Sequence, residues 1–244
     1  EVRGMKTLAV IPARYASTRL PGKPLIPVGG IPLVIRVLDN VRKCRKVDRV
    51  IVAADDERIA EVVLREGGEV MMTPAELPSG GDRVAWAAER TPSDYVINVQ
   101  VDDPLVGSDM IDPLVEALDS DNDVSLALLA KKIERREEID SPDIVKMVFD
   151  TKGRALYFSR SPIPYPRTRQ GIWYKHIGPY AWRRSFLLDF SKWEQTPLEK
   201  RESLEMLRVL ERGHSIRCIM TERDTIEIDT PNDLTRIGKY LSEP

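Results

Sequence analysis

The chain has few of the residues that most often bind metals or form cross-links: two cysteines and two histidines among 244 residues. Cys44 and Cys218 are too few and too far apart in the sequence for a disulfide framework, a C-x-x-C redox pair or a zinc site. We therefore expect both cysteines to be buried thiols in the core.

The chain also lacks an excess of one charge and lacks long apolar runs. The formal net charge is -2 with both signs interspersed, which leaves no broad basic surface for nucleic acid or a membrane. Apolar runs such as Val124–Ala130 are far shorter than a membrane span, and no apolar secretory segment opens the sequence. We expect a cytoplasmic protein without nucleic-acid or membrane partners, and we expect Glu1–Gly4, before Met5, to be a remnant of cloning.

A hydrophobic content of 42% is enough for one substantial core, so we expect one domain over residues 5–244. Short β-branched segments alternate with segments of helical period. The predicted strands are Thr7–Ile11, Arg49–Ala53, Glu69–Met72, Tyr95–Val99 and Val124–Leu129. The predicted helices are Leu33–Lys43, Glu57–Arg65, Arg83–Arg90 and Met110–Leu118. This alternation indicates an α/β fold of three layers, with helices on both faces of a mostly parallel sheet.

The pattern changes after residue 145 to hairpin-like segments, followed by helices. The predicted elements are the strands Lys146–Phe149, Ala155–Phe158 and Trp173–Trp182, the helices Ser185–Trp193 and Leu198–Arg212, the strand Ser215–Met220 and a helix from Pro231. Gly213 is placed to end the second helix. We expect a smaller antiparallel α+β lobe over 146–214 and an α/β nucleotide-binding core over 5–145 and 215–244.

The loop after the first strand is rich in cations, because it holds Arg14, Arg19 and Lys23 together with Gly22. Cations and backbone N–H groups at the carboxyl end of a parallel strand suit a triphosphate. The spacing matches neither a Walker loop nor a G-x-G-x-x-G dinucleotide motif. From charge alone, a solvated basic loop is the alternative.

Two carboxylates, Asp102 and Asp103, end a buried strand in the segment Gln100–Pro104. They would be costly to bury unless they are solvated or bound to a metal. Mg²⁺ prefers hard oxygen ligands and is often held by one or two carboxylates together with substrate phosphates. We therefore predict Asp102 as the first ligand of a magnesium ion.

Several segments, in the same order along the chain, resemble the motifs of one family. They are Ile11–Pro24, Thr73-Pro74, Ser79–Arg83, Asn98–Pro104, Tyr157–Pro164, Lys175–Gly178 and Asp229–Pro231. The first is nearly identical to the family's I-P-A-R-x-x-S-T-R-L-P-G-K-P. Over almost its whole length the chain resembles the 3-deoxy-manno-octulosonate (KDO) cytidylyltransferases, or CMP-KDO synthetases.

The resemblance implies a nucleotide-diphospho-sugar transferase type of fold and a nucleotidyltransferase activity. CMP would pass from CTP to the anomeric hydroxyl of KDO with release of pyrophosphate, which activates the sugar for lipopolysaccharide synthesis. It also implies Mg²⁺ as cofactor, CTP and an acidic 2-keto sugar as substrates, and a homodimer.

The resemblance assigns the site residues as well. Catalysis falls to Arg14, Lys23, Asp102 and Asp229, of which Asp102 and Asp229 bind the metal. Nucleotide contacts fall to Pro12, Ala13, Arg14, Arg19, Lys23, Thr73, Pro74, Ser79, Gly80, Asp82 and Arg83, with Arg19 organising the loop rather than binding directly. Sugar contacts fall to Gln100, Arg160, His176, Tyr180 and Glu205.

Some of these residues have a structural alternative. Ser79 and Gly80 can cap the helix that follows them, and Asp229 can cap a helix at Pro231. His176 can satisfy a neighbouring strand instead of a sugar hydroxyl. His214, beside the helix-ending glycine, is expected to be a surface cap.

The chain departs from the family's usual residues at five positions on the motifs: Gly81, Val101, Asp103, Pro179 and Met206. Met206 cannot replace the hydrogen bonds of the family's glutamine amide, so discrimination at one sugar hydroxyl can change. The alternatives are therefore the same reaction on another acidic 2-keto sugar, such as an amino-substituted KDO, a nucleotide-sugar-dependent glycosyltransferase, or a non-catalytic binding homologue.

Overall fold

Strands and helices alternate along the chain in the computed structural model, which describes residues 6–16, 20–167 and 171–242. The strands are β1 (Thr7–Ala13), β2 (Pro27–Val28), β3 (Ile31–Pro32), β4 (Arg49–Ala54), β5 (Val70–Met72), β6 (Tyr95–Asn98), β7 (Leu126–Lys132), β8 (Lys146–Phe149), β9 (Ala155–Ser159), β10 (Tyr174–Arg183) and β11 (Ile216–Met220). The α-helices are α1 (Leu33–Arg42), α2 (Glu57–Arg65), α3 (Gly80–Arg90), α4 (Ser108–Ser120), α5 (Arg136–Asp140), α6 (Arg184–Phe190), α7 (Pro197–Glu202), α8 (Glu205–Glu211) and α9 (Pro231–Ser242). A 3₁₀ helix spans Lys23–Leu25.

The main sheet has the order β11–β7–β10–β6–β1–β4–β5. β1 is parallel to β4 and β6, β4 to β5, and β11 to β7. β10 is antiparallel to both of its neighbours, and β8 pairs with β10 and β9. The expected α/β fold, with a mostly parallel sheet and a smaller antiparallel part, is therefore confirmed.

β10 joins the antiparallel part of the chain to the parallel part. It comes from the segment predicted as a lobe, yet Ala181 pairs with Ile97 of β6 on one side and with Ala127 of β7 on the other. The two parts therefore share one sheet. The division into a core and a lobe at residues 146 and 214 stays a prediction.

Helices cover both faces of the sheet because successive strand residues point to opposite sides. Ile11 and Ile97 belong to the apolar cluster that includes α1 and α4. Leu8 and Val96 belong to the cluster that includes α3, α6 and α8. The two cysteines are buried, one in each cluster, as predicted. Among the described residues, no helix is both long enough and apolar enough to cross a membrane.

The single helix predicted over Leu198–Arg212 is wrong: the structure has two helices, α7 and α8. Ser203 lies between them in the left-handed conformation, with φ of 55°, and its N–H still donates to Glu199 O at 2.7 Å. Across this break Arg208 makes two hydrogen bonds to the Glu199 carboxylate, at 2.8 and 2.5 Å. The ion pair joins α8 to α7 across the break.

The end of α8 follows the prediction. Gly213 has φ of 78°, and the N–H of His214 donates to Val209 O at 3.1 Å. The His214 ring is exposed and stacks on Trp193 at 5.3 Å. His214 therefore terminates the helix at the surface, as expected.

Arg208→Met is expected to lower the free energy of unfolding by about 3–5 kcal/mol, because removing one partner of a buried ion pair leaves the other uncompensated. Arg208 is 9% exposed and Glu199 is 2% exposed. Arg212→Met, at the exposed end of the same helix, is the matched control and should change the free energy by less than about 0.5 kcal/mol. Urea denaturation followed by circular dichroism measures both, and equal losses in the two variants would contradict the assignment.

Candidate active site

The carboxyl ends of β1, β4 and β6 share one edge of the sheet, where ligands of open parallel sheets bind. The loops after β1 and β4 are tied together, because Tyr15 N donates to Asp55 Oδ1 at 2.9 Å. Gly22 N donates to Tyr15 O at 3.0 Å, and Gly22 has a φ of 68° that favours glycine. The loop predicted to bind phosphate is thus closed at its base.

Lys23, near the end of this loop, contacts two carboxylates. Its Nζ lies 2.8 Å from Asp102 Oδ2 and 3.0 Å from Asp229 Oδ1. Burial lowers the pKa of Lys23, but Asp102 and Asp229 outweigh it and leave that pKa above its ordinary value. The structure therefore brings together three of the four predicted catalytic residues, although they are far apart in the sequence.

The fourth predicted catalytic residue, Arg14, is exposed just beyond the end of β1. Pro12 and Ala13 are the last residues of that strand and are buried. Arg19 lies outside the described residues. The nucleotide contacts assigned to this loop stay predictions.

Arg83 holds in place the segment that follows β5. Its side chain is fully buried, and it donates to Thr73 Oγ1 at 2.5 Å, to Pro74 O at 2.9 Å and to Asp55 Oδ2 at 3.0 Å. Burial lowers the pKa of Arg83, Asp55 raises it, and the nearby Arg14 charge lowers it further. These contacts give Arg83 a role in shaping the predicted nucleotide loop from beneath.

The first turn of α3 is closed by a capping box. Ser79 Oγ accepts from Asp82 N at 3.1 Å, and Ser79 N donates to Asp82 Oδ2 at 3.1 Å. The predicted helix cap is therefore confirmed, although α3 begins at Gly80, three residues before the predicted start. Since these side chains are engaged with each other, backbone N–H groups of the first turn are the donors best placed to meet an anion.

The start of α3 also meets residues predicted to contact the sugar. A Cβ on Gly81 would lie 3.4 Å from both carboxylate oxygens of Glu205, and one on Gly80 would lie 3.5 Å from Gln100 Oε1. Gln100 Nε2 donates to Asn98 Oδ1 at 2.9 Å. The two predicted binding regions thus adjoin at this glycine pair.

A cleft of about 1010 Å³ opens beside these loops. Its walls include four of the five predicted sugar contacts and one predicted metal ligand: Arg160, His176, Tyr180, Glu205 and Asp229. Met206, where the chain departs from the family, also lines the cleft. Four of the five residues predicted for the sugar therefore face a common space.

A bulge in β10 brings His176 and Tyr180 together. The pairing with β7 shifts between Ile177 and Tyr180, so Gly178 and Pro179 are the extra residues. Four residues of regular strand span about 13 Å, whereas the two rings stack with centroids 5.1 Å apart. The bulge therefore builds one wall of the cleft.

The side chains on this wall are uncharged near neutral pH. Burial lowers the pKa of His176 to about 4, and its buried Nε2 has no hydrogen-bond partner in the described part of the chain. Burial raises the pKa of Tyr180, with a further contribution from the Glu205 charge. His176 therefore lies on the cleft wall with one buried ring nitrogen unpaired, and its contact with the sugar stays a prediction.

Asp102 and Asp103 differ in what they can reach. Asp103 is 6% exposed and its Oδ1 accepts from Leu105 N at 3.1 Å, while burial raises its pKa to about 7. Asp102 is more exposed and contacts Lys23. The geometry therefore agrees with the choice of Asp102 over its neighbour as the candidate ligand.

Sequence analysis missed one acidic residue of the site, Glu227. It lines the same cleft as Asp229, and desolvation by the cleft wall, together with the charges of Asp102 and Asp229, raises its pKa to about 7. Alternate residues of an extended segment face one side. The alternation in Ile226–Asp229 was the signal that could have identified it.

The arrangement suits a divalent cation held between two loops. Since Asp102 and Asp229 both contact one ammonium nitrogen, a single cation can touch both carboxylates. No group of three or more His, Cys, Asp or Glu side chains forms a ready-made metal site within the described ranges. Two carboxylates completed by substrate phosphates are a common arrangement for a hard cation.

Comparison with known proteins identifies the family. The cytidylyltransferase family profile matches residues 8–216. A 3-deoxy-manno-octulosonate cytidylyltransferase of Geobacter metallireducens is 45% identical over 250 residues, covering 98% of each chain. The one of Desulfosudis oleivorans is 46% identical over 243 residues, again covering 98% of both.

Solved structures agree with the sequence comparison. A CMP:2-keto-3-deoxy-manno-octonic acid synthetase complexed with CTP superposes with a TM-score of 0.93 at 37% identity, covering 97% of this chain and 98% of the other. The 4-diphosphocytidyl-2C-methyl-D-erythritol synthase of Anaerococcus prevotii, at 16% identity and a TM-score of 0.66, shares the fold. The chain belongs to the 3-deoxy-manno-octulosonate cytidylyltransferase family of nucleotidyltransferases.

Proposed function

We propose that this chain transfers CMP from CTP to the anomeric hydroxyl of KDO and releases pyrophosphate. The proposal is supported above all by one observation: Lys23 contacts both Asp102 and Asp229. These residues lie beside a cleft that is lined by Arg160, His176, Tyr180 and Glu205. A relative of nearly the same structure is described as a complex with CTP, which supports the choice of nucleotide.

In the proposed reaction the 2-hydroxyl oxygen of the sugar acid attacks the α-phosphorus of CTP. A new P–O bond forms, the bond to the pyrophosphate oxygen breaks, and the hydroxyl proton passes to water. Positioning and charge neutralisation carry most of the catalysis in such a transfer. We assign Lys23 and Arg14 to the phosphates and the first turn of α3 to the nucleotide.

Asp102 and Asp229 would hold Mg²⁺; this assignment is supported by their contacts with one ammonium nitrogen, at 2.8 and 3.0 Å. When bound, the ion supplies Lewis-acid polarisation of phosphate oxygens and lowers the pKa of a coordinated hydroxyl. Lys23, which contacts the same two carboxylates, compensates their negative charges when no metal ion is bound.

We assign the acid end of the sugar to Arg160, because the fork of a guanidinium matches two carboxylate oxygens. The neutral His176 would exchange a hydrogen bond with a sugar hydroxyl through its unpaired Nε2. Glu205, beside Gly81, would accept from hydroxyls close to the nucleotide. The homodimer and the cytoplasmic location stay predictions.

The direct test is pyrophosphate release from CTP, UTP, GTP and ATP with a panel of 2-keto-3-deoxy acids that includes KDO and an amino-substituted KDO. We expect turnover with CTP and KDO. Turnover only with another acid would support the alternative substrate. Binding of CTP without turnover on any acid would support a non-catalytic homologue, and consumption of a nucleotide sugar instead would support a glycosyltransferase.

Asp102→Asn should reduce pyrophosphate release by about two to three orders of magnitude, because the metal ion that would stabilise the charge of the reacting phosphates loses one of its carboxylate ligands. Raising Mg²⁺ should not restore the rate. The urea midpoint should stay close to that of the parent chain, since Asp102 is only half-buried. Asp109→Asn, which alters an exposed pair with Arg223, is the control and should keep full activity. Near-normal turnover of Asp102→Asn would exclude the metal assignment.

His176 should remain uncharged over the whole pH range in which the protein is active. With only two histidines in the chain, proton NMR can follow both imidazoles, and His214→Gln assigns them. The signal of His176 should titrate with a midpoint at about pH 4 and stay constant above about pH 5.5. A midpoint above about pH 6 would show that His176 is accessible to protonation and would contradict its proposed role.

A further inference from the structure

Arg160, at the end of β9, is held at four of its atoms. Its backbone N–H donates to Glu202 Oε2 at 2.9 Å, and its backbone oxygen accepts from Lys146 Nζ at 2.5 Å. Its side chain donates from Nε to Glu202 O at 2.8 Å and from Nη1 to Pro142 O at 2.9 Å. Both the backbone and the guanidinium of this cleft residue are therefore fixed.

Glu202 supplies more of these contacts than any other residue of the group. Its carboxylate accepts from Arg160 N and from Ser159 Oγ, the latter at 2.6 Å, and its carbonyl accepts from Arg160 Nε. Glu202 is the last residue of α7 and is not among the residues that line the cleft. Its contacts reach the cleft only through its neighbours.

Lys146 anchors the same point from the other side. It is fully buried and donates to three carbonyls, those of Ser141, Ile144 and Arg160, at 2.6, 2.7 and 2.5 Å. Ser141 and Ile144 line the cleft with Arg160. The wall that carries Arg160 is thus a connected unit of backbone contacts.

The ordering of the Arg160 side chain affects how it would bind a carboxylate. An arginine side chain loses much rotamer freedom when it is ordered, and a side chain ordered before the ligand arrives does not lose that freedom on binding. Two guanidinium nitrogens are already held by carbonyls, and the remaining N–H groups are enough for a carboxylate. A pre-ordered guanidinium also sets the direction from which the carboxylate must approach.

We propose that Glu202 is a positioning residue for recognition of the substrate carboxylate: it acts through Arg160 and sets the affinity for the sugar acid. The proposal rests on the proposed function. The substrate carboxylate is bound in the same way before and during phosphoryl transfer. Loss of the contact between the Glu202 carboxylate and Arg160 should therefore raise KM for the acid and leave kcat almost unchanged.

The experiment measures pyrophosphate release by Glu202→Ala against KDO at saturating CTP, and against CTP at saturating KDO. We expect KM for KDO to rise by about tenfold, while kcat and KM for CTP stay within about twofold. Glu202→Gln should recover part of the affinity, because its amide oxygen can still accept from Arg160 N. If the alanine variant does not fold, the glutamine variant carries the test.

Glu199→Ala is the matched control, since Glu199 is a buried glutamate of the same helix that pairs with Arg208 instead. It should lower the urea midpoint and leave KM for KDO within about twofold. A double-mutant cycle completes the design: in an Arg160→Ala background, Glu202→Ala should have almost no further effect on KM for KDO.

An unchanged KM for KDO in Glu202→Ala would overturn the inference, and so would an effect that persists in the Arg160→Ala background. An equal rise in Glu199→Ala would also overturn it, because the effect would then follow from lost stability. If the parent chain releases no pyrophosphate from CTP and KDO, the proposed function itself has failed and the inference fails with it. The inference can therefore be tested separately from the proposed function only when the parent chain is active.

Discussion

The contact of one ammonium group with two carboxylates determines the shape of the site. Lys23 lies near the end of the loop after β1, Asp102 lies in the loop after β6, and Asp229 precedes α9. Two carboxylates at this separation would repel each other without a cation between them. The backbone supports the same junction, because Ile228 N donates to Asp102 O at 2.9 Å. The phosphate loop ends at this junction, and the large cleft begins there.

Much of this arrangement could be predicted because local pattern and chemistry agreed. Buried strands of β-branched residues separated by helices specify a parallel sheet, and the carboxyl ends of its strands specify one edge for the loops. The family resemblance then selected Asp229 from the many acidic residues of the chain. Residue patterns alone could not have paired it with Asp102, since contacts between distant segments leave no periodic signal.

The features that sequence missed depend on tertiary contacts. At the break between α7 and α8, Ser203 adopts a left-handed conformation, for which a glycine would have been the usual sequence signal. The Glu199–Arg208 ion pair across the break is visible only in the three-dimensional structure. The predicted contact of Arg83 with the nucleotide stays a prediction, whereas the support that its buried guanidinium gives to the loop after β5 was not predicted. A cationic side chain in a motif can contact the ligand or support the loop, and the sequence does not show how deeply that side chain is buried.

The two ends of the proposed reaction are built differently. At the phosphate end, the Lys23 ammonium contacts two carboxylates and Arg14 is exposed. At the sugar end, backbone hydrogen bonds hold Arg160 and a bulge holds His176 against Tyr180. The side chains at the two ends are therefore held by different kinds of contact.

A preformed cleft selects by shape, and the departures from the family lie where shape is decided. Val101 and Met206 are 7% and 4% exposed and belong to the two apolar clusters, while Pro179 is in the bulge beside the stacked rings. None of the three carries a charge, so they act on the cleft through packing. Packed core positions are affected by a change of a single methylene. A substitution at such a position can therefore alter the shape of the cleft wall that packs on it. At these three positions, a difference from the family in the acid accepted would arise from the contour of the cleft and from the hydrogen bonds that Met206 cannot make.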